Sequence, residues 1–160
     1  MKKFNTDGII LTRTNFGEAD RILTFITSDH GKVKAIARAV RKSKSKLAGG
    51  IELFSVSHIS IAAGRGEIST LISSRLKTHF GSIVKDLDRT NTAYEFMRLI
   101  NKNTEEQAEA GFFNLLASAL KALDDGSDIE LIKLWFSLQL LKLTGHAPNL
   151  HTDIEGAKLT

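Results

Sequence analysis

The hydrophobic pattern of this chain changes period once, near residue 80, and that change restricts the fold more than any other feature. Before it, apolar and polar side chains alternate in short runs; after it, apolar residues recur at spacings of three, four and seven. The first pattern belongs to half-buried strands and the second to amphipathic helices. A β-rich part over residues 1–80 followed by an all-α part over 81–160 is therefore expected.

Five strands are predicted in the first part. Residues 8–13 and 21–27 are rich in β formers and are separated by the polar break 15–20. Asp29-His30-Gly31 turns the chain directly into 32–38, so the second and third strands should form a hairpin. Residues 51–61 give the longest alternation, and Gly64-Arg65-Gly66 makes a tight turn into 67–75. A sheet of short strands with regular turns removes its edges by closing into a small barrel. In the second part helices are predicted over 86–100, 105–123 and 128–143. Thr104-Glu105-Glu106 and residues 124–128 supply helix caps and first-turn acids. Tyr94, Phe96, Phe112, Phe113, Trp135 and Phe136 read as core. One member of each adjacent aromatic pair is left to reach a groove, because neighbours on a helix point different ways.

Charge is distributed as unevenly as the periodicity. Residues 1–80 carry 14 Lys and Arg against 6 Asp and Glu, a net of +8, whereas residues 81–160 carry 8 against 12, a net of −4. The excess concentrates in residues 31–50, where Lys32, Lys34, Arg38, Arg41, Lys42, Lys44 and Lys46 stand with no acidic residue between them. Alternation through 32–38 puts Lys32, Lys34 and Arg38 on the open face of a strand, with Val33 and Ala35 inward and Ile36 outward among the cations. Residues 41–46 hold no apolar side chain and read as a mobile, solvated loop. A charged strand face leading into a charged loop suits a polyanion; the alternative is a solvated surface with a flexible loop. Cations on a small barrel neutralise phosphates without reading bases, so binding of such a polyanion should be salt-sensitive and largely independent of sequence. The seven cations are the first candidates for phosphate contact. Arg13, Arg65 and Arg75, at turns and strand ends, are the second. Phe4, Phe25 and Phe54 read as core, and Phe16 lies in a polar loop where a base could stack.

The exclusions are as informative. The sequence has no GxxxxGK[ST], GxSxG, HExxH or GxGxxG pattern, and Gly64-Arg65-Gly66 lies between two strands; neither enzyme activity nor a cofactor is expected. With no cysteine there is neither a disulfide framework nor a thiolate metal site, which fits a reducing cytosol. His146, His151, Asp153 and Glu155 gather four metal-ligand types in the tail, a grouping read as incidental. No apolar run approaches the roughly 18 residues of a membrane span, and Met1-Lys2-Lys3 leads into polar residues. A cytoplasmic protein without a membrane partner is expected.

In chain order, Gly8-Ile9-Ile10-Leu11, Phe16-Gly17-Glu18-Ala19-Asp20-Arg21-Ile22-Leu23, residues 25–32, the basic run 35–45, Gly64-Arg65-Gly66-Glu67 and Thr144-Gly145-His146-Ala147-Pro148 closely resemble the bacterial recombination mediator RecO family. The resemblance extends over essentially the whole chain and rests on the order and spacing of these segments together. It implies an N-terminal OB-fold that binds DNA, a helical domain after it, and no catalytic chemistry. It also implies a nucleoid-associated role in DNA repair and homologous recombination. There the family anneals single strands and, with its partner RecR, helps load the RecA recombinase onto DNA coated with single-strand-binding protein. Single-stranded DNA is the expected ligand and duplex DNA a second one.

Two departures from the family pattern bear on partners. Many members open a four-cysteine zinc module just after the segment ending in Pro148, and here Asp153 and Gly156 stand about where the first pair of cysteines would lie. The family chain also continues with further helices, so apolar helical surface left for a partner, or a reduced form of the family, is expected. The competing reading is an interaction adaptor. In it a groove around Phe112, Leu116, Trp135 and Leu138 takes a partner peptide, by resemblance the C-terminal tail of single-strand-binding protein, and the barrel merely orients it.

Overall fold

The structure, a computed structural model, describes residues 2–107, 109–146, 152 and 156–158. Five strands, β1 (Lys3–Phe16), β2 (Asp20–Thr27), β3 (Lys32–Ala37), β4 (Ser55–Ala62) and β5 (Ser69–His79), close into a barrel in the order β1-β2-β3-β5-β4. Neighbours are antiparallel except β3 and β5, which run parallel and pair only at Ala35–Ser69 and Ile36–Thr70. This is the small closed barrel the alternation calls for, and the OB-type barrel the family resemblance implies. Leu23, Phe25, Ala35, Ile59 and Ile61 point inward and are fully buried, as period-two strands require. The β2–β3 hairpin closes on the Gly31 carbonyl, which accepts from the Thr27 amide at 2.8 Å and the Thr27 hydroxyl at 2.7 Å. Gly31 sits at φ 65°, which a side chain would strain.

Three helices follow, α1 (Leu87–Asn103), α2 (Ala110–Asp124) and α3 (Ile129–Leu143). Asp86 and Asp128 cap the first and third, accepting from the Arg89 and Leu131 amides at 3.0 Å each. Among the described residues no helix is long and apolar enough to cross a membrane. The helices lie against the barrel. Ile9, Leu11, Ile26, Phe54 and Val56, on the barrel's outer surface, share one core with Phe96, Ile100, Leu116 and Phe136. Phe96 and Phe136 stack inside it with ring centroids 4.0 Å apart. Cutting the chain near Gly81 therefore exposes this core on both pieces, and separate halves are poor test objects.

Several expectations need correction, among them the fifth strand, which runs from Ser69 to His79 instead of 67–75, and Tyr94, read as core, which is 47% exposed. β1 runs from Lys3 to Phe16 instead of 8–13, because its first part pairs with β4 and its second with β2. β4 begins at Ser55 instead of 51, since the chain first makes a short turn at Ala48–Gly50. Thr104 closes α1, its hydroxyl donating to the Ile100 carbonyl at 2.6 Å, and α2 starts only at Ala110 with no side-chain cap. Phe112 and Phe113 are both buried, because α2 is flanked by α1, α3 and the β1 and β2 strands and exposes mainly the stripe of Asn114, Ser118 and Lys121. In the other pair, Phe136 is buried and Trp135 is 39% exposed.

Candidate nucleic-acid interface

Strand register builds the site. Thr14 lies opposite Ile22, Ile22 opposite Ile36, Thr24 opposite Lys34, and Ile26 opposite Lys32. Cross-strand partners share a face, and Phe16 follows Thr14 by one period. Phe16, Ile22, Ile36, Thr24 and Lys34 thus form one outer surface that continues into Ile26 and Lys32. The helices cover the Ile26–Lys32 end. Of the rest, Phe16 is 53% exposed and Lys34 exposed, Ile22 and Ile36 are half-buried, and Thr24 is buried between them. On β3 the inward residues are Ala35 and Ala37, fully buried, and Val33, half-buried, so the register read from alternation stands.

The basic loop is fixed at the rim of this surface. The Arg41 amide donates to the Ala19 carbonyl at 2.9 Å, and its guanidinium donates to the Gly17 carbonyl. Asp20 accepts from the Ala39 amide at 2.6 Å and lies 3.8 Å from the Arg38 guanidinium. Ala39 has φ 54°, a left-handed conformation that costs a residue with a side chain about 1–2 kcal/mol and that the bond to Asp20 offsets. The start of the loop is consequently anchored instead of freely mobile. These bonds hold exposed Arg38 and Arg41 at the β1–β2 turn, and exposed Lys42, Lys44 and Lys46 follow in the loop.

The remaining candidates divide. Arg65, exposed in the β4–β5 loop, lines a groove of about 720 Å³ together with Lys34. That groove exists because β3 meets β5 only at Ala35 and Ile36, so the edge of β3 before Ala35 has no β5 partner. Arg13 lies opposite Leu23, on the face of the ribbon turned from Lys34. Arg75 lies opposite His58, farther along β5 than the pairs with β3. Lys32 is engaged elsewhere: its ammonium donates to the carbonyls of Asn101 at 3.0 Å and Thr104 at 2.7 Å, closing the C-terminal end of α1. Burial there, and then the charge of Lys34, hold its pKa below the ordinary lysine value.

Sequence reasoning missed Phe4 and His30, which stack in the same groove with ring centroids 4.1 Å apart and planes inclined by 11°. Phe4 packs on the barrel core and His30, from the β2–β3 turn, lies over it. No local pattern joins the two positions; only the hairpin's place at the β1 end brings them together.

On the helical side, Phe112 and Leu116 belong to the core. Leu138 is half-buried. The apolar groove there, of about 390 Å³, lies between α2 and α3 and is lined by Ser118, Ala122, Leu131 and Trp135. Of the tail ligand set, His146 is exposed, with its Nδ1 3.3 Å from the Thr144 hydroxyl; His151, Asp153 and Glu155 lie outside the described residues. Among the described residues no three His, Cys, Asp or Glu side chains gather as a metal site would need.

Comparison with known proteins agrees with this architecture. The chain is 38% identical over 148 residues to the DNA repair protein RecO of Dehalococcoides mccartyi, covering 92% of this chain and 58% of that protein. It is 37% identical over 149 residues to the DNA repair protein RecO of a Roseiflexus species, covering 92% and 52%. The figure for the protein of that name from Streptomyces coelicolor is 33% over 159 residues, covering 92% and 63%. The chain thus spans between about half and two thirds of the length of these relatives. Residues 1–80 match the family described as Recombination protein O N terminal and residues 84–158 the one described as Recombination protein O C terminal. With a closed five-stranded barrel in the first match and three helices packed on it in the second, the chain belongs to the recombination protein O family.

Proposed function

We propose that this chain binds single-stranded DNA across the outer face of β1–β3, and that it acts without catalysis in DNA repair and homologous recombination. The observation that supports this most is the pairing of an acid-free basic loop, tied to the β1–β2 turn by Arg41, with a sheet face floored by Ile22, Ile36 and Phe16. Cations at the rim neutralise phosphates while apolar floor residues receive sugars and bases, the division of labour of non-specific single-strand binders. The face formed by the second and third strands, with its flanking loops, is also where OB barrels bind oligonucleotides. On this reading Lys34, Arg38, Arg41, Lys42, Lys44, Lys46 and Arg65 carry the phosphate contacts, and the protein anneals single strands and helps load a recombinase in the cytoplasm. A fluorescence anisotropy titration with a labelled single strand at several salt concentrations tests it. Binding that weakens linearly in log salt is expected; no binding at low salt removes the reading.

A second reading rests on a different observation. Leu131 is 68% exposed and Trp135 39%, side by side on a groove whose lining is largely apolar. Such a surface suits a partner segment, and the family's RecR and the tail of single-strand-binding protein are the partners we propose for it. Trp135 is the chain's one tryptophan, so a shift of its emission on adding either partner reports directly on this face.

A further inference from the structure

We infer that the stacked Phe4–His30 pair is a base platform: one nucleobase of the bound strand leaves the sheet face and stacks on the outer side of His30, inside the groove between β3 and the β4–β5 loop. This deepens the single-strand reading and rests on it. Three features of the groove carry the inference. The first is geometric. His30 lies flat on Phe4, at 4.1 Å and 11°, and Phe4 is held from below by the barrel core, so His30 presents a supported ring. Asp29 fixes that ring in its own plane, its carboxylate oxygen 2.9 Å from His30 Nδ1 while also accepting from the Thr6 hydroxyl. A flat π surface pre-set in this way receives a base of any identity.

The second feature is charge. Lys34 and Arg65 line the groove together with Lys32, whose ammonium is engaged by the α1 carbonyls, but so do Glu67 and Glu106. The two acids make the inside of the groove a poorer place for a phosphate than its rim, where exposed Lys34 and Arg65 reach solvent, or than the acid-free loop at the other end of the same face. What fits the groove is the neutral part of a nucleotide, with Thr24, Ser69 and Gln107 offering polar groups at its edge. The third is position. Lys34 belongs both to the groove and to the open sheet face, so a strand whose phosphates follow the basic loop and Lys34 arrives with its next base at the groove mouth.

The test uses the whole chain and a single-stranded oligonucleotide carrying 5-iodouracil, which cross-links on irradiation to aromatic rings stacked on it. Mapping the adduct by mass spectrometry should place it on His30 or Phe4. His30→Ala should weaken binding by roughly five- to a hundredfold, the range for loss of one base stack, and leave the slope of log K against log salt unchanged because no phosphate contact is removed. His30→Tyr should restore affinity. An adduct found only on Phe16, or a His30→Ala variant that binds as well as the parent, overturns the platform and leaves single-strand binding standing. A fall in the salt slope that Tyr does not rescue also overturns it, since it makes His30 a charge contact. If the unaltered chain binds no oligonucleotide at low salt, the functional reading falls and the platform with it.

Discussion

Lys32 and Lys34 are two residues apart on the same face of β3, and the fold uses them in opposite ways. Lys34 stands on the part of the outer sheet surface that remains open beside the basic loop. Lys32 stands where the helices come down, and its ammonium is spent on the carbonyls of Asn101 and Thr104. The same division separates the apolar neighbours on that surface: Ile26, opposite Lys32, is fully buried under the helices, and Ile22, opposite Ile36, is only half-buried. Alternation along a strand decides which way a side chain points. Whether that direction leads to solvent is decided by what docks from elsewhere in the chain.

The largest expected effect comes from putting a charge on each side of this division. Ile26→Asp buries an uncompensated carboxylate under α2 and should cost about 4 kcal/mol or more, enough to unfold a marginally stable chain. Ile22→Asp should cost within about 1 kcal/mol and instead weaken single-strand binding by placing a negative charge on the open face. Thermal melts of the two variants check this. Equal melting temperatures would mean the covered and open regions are not different.

The next effect falls on the open side alone. Changing Arg41, Lys42, Lys44 and Lys46 together to Ala should leave the melting temperature nearly unchanged, because exposed charges contribute little to folding. The slope of log K against log salt should become shallower by about 0.7 per lost contact, close to 3 in all if each of the four touches a phosphate. An unchanged slope would take the loop out of the interface.

Much of the open side was legible in advance, and the covered side only in part, for one physical reason. The barrel, its β2–β3 hairpin and the register of β3 follow from local signals: alternation in 32–37 and the turn glycine Gly31. The covering of Ile9, Leu11 and Ile26 left a local trace as well. Ile9-Ile10-Leu11 and Leu23–Ile26 hardly alternate, which is the mark of strands buried on both faces. Lys32 has no such trace, since its partners lie in a helix end far along the chain and a lysine bound to carbonyls reads like any other cation. Phe4 and His30 are joined only by the meeting of a strand start with a hairpin turn. Phe112 and Leu116 look like groove residues until the flanking of α2 by two helices and two strands is known.

Exchanging the two lysines one at a time gives a smaller but sharper test. Lys32→Ala removes the hydrogen bonds that close α1 and should cost about 1–2 kcal/mol of stability, with the salt slope of DNA binding unchanged. Lys34→Ala should change stability by less than about 0.5 kcal/mol and lower the slope by about 0.7. Urea unfolding gives the first quantity and anisotropy titrations the second. A lower slope for Lys32→Ala would mean that the helix end releases this lysine to DNA.

The smallest effect concerns the proton on Lys32. Its pKa is lowered from the ordinary 10.5, by burial first and the charge of Lys34 second, against the opposing pull of Glu105 and Glu106. Below the lowered value both the folded and the unfolded chain hold the proton, so this group adds no pH dependence and the cost of burying its charge is fully present. Between the lowered value and 10.5 the folded chain gives up the proton first. The unfolded chain then binds more protons, and stability attributable to Lys32 rises with pH. The stability margin of the parent over Lys32→Met should therefore widen as pH is raised from about 7 toward 10.5, with a Lys34→Met series run in parallel to remove titrations common to all variants. Urea midpoints at each pH supply the margins. A margin that narrows instead would mean that the α1 carbonyls and the two glutamates outweigh burial, and that Lys32 holds the helix by its charge and not as a half-buried donor.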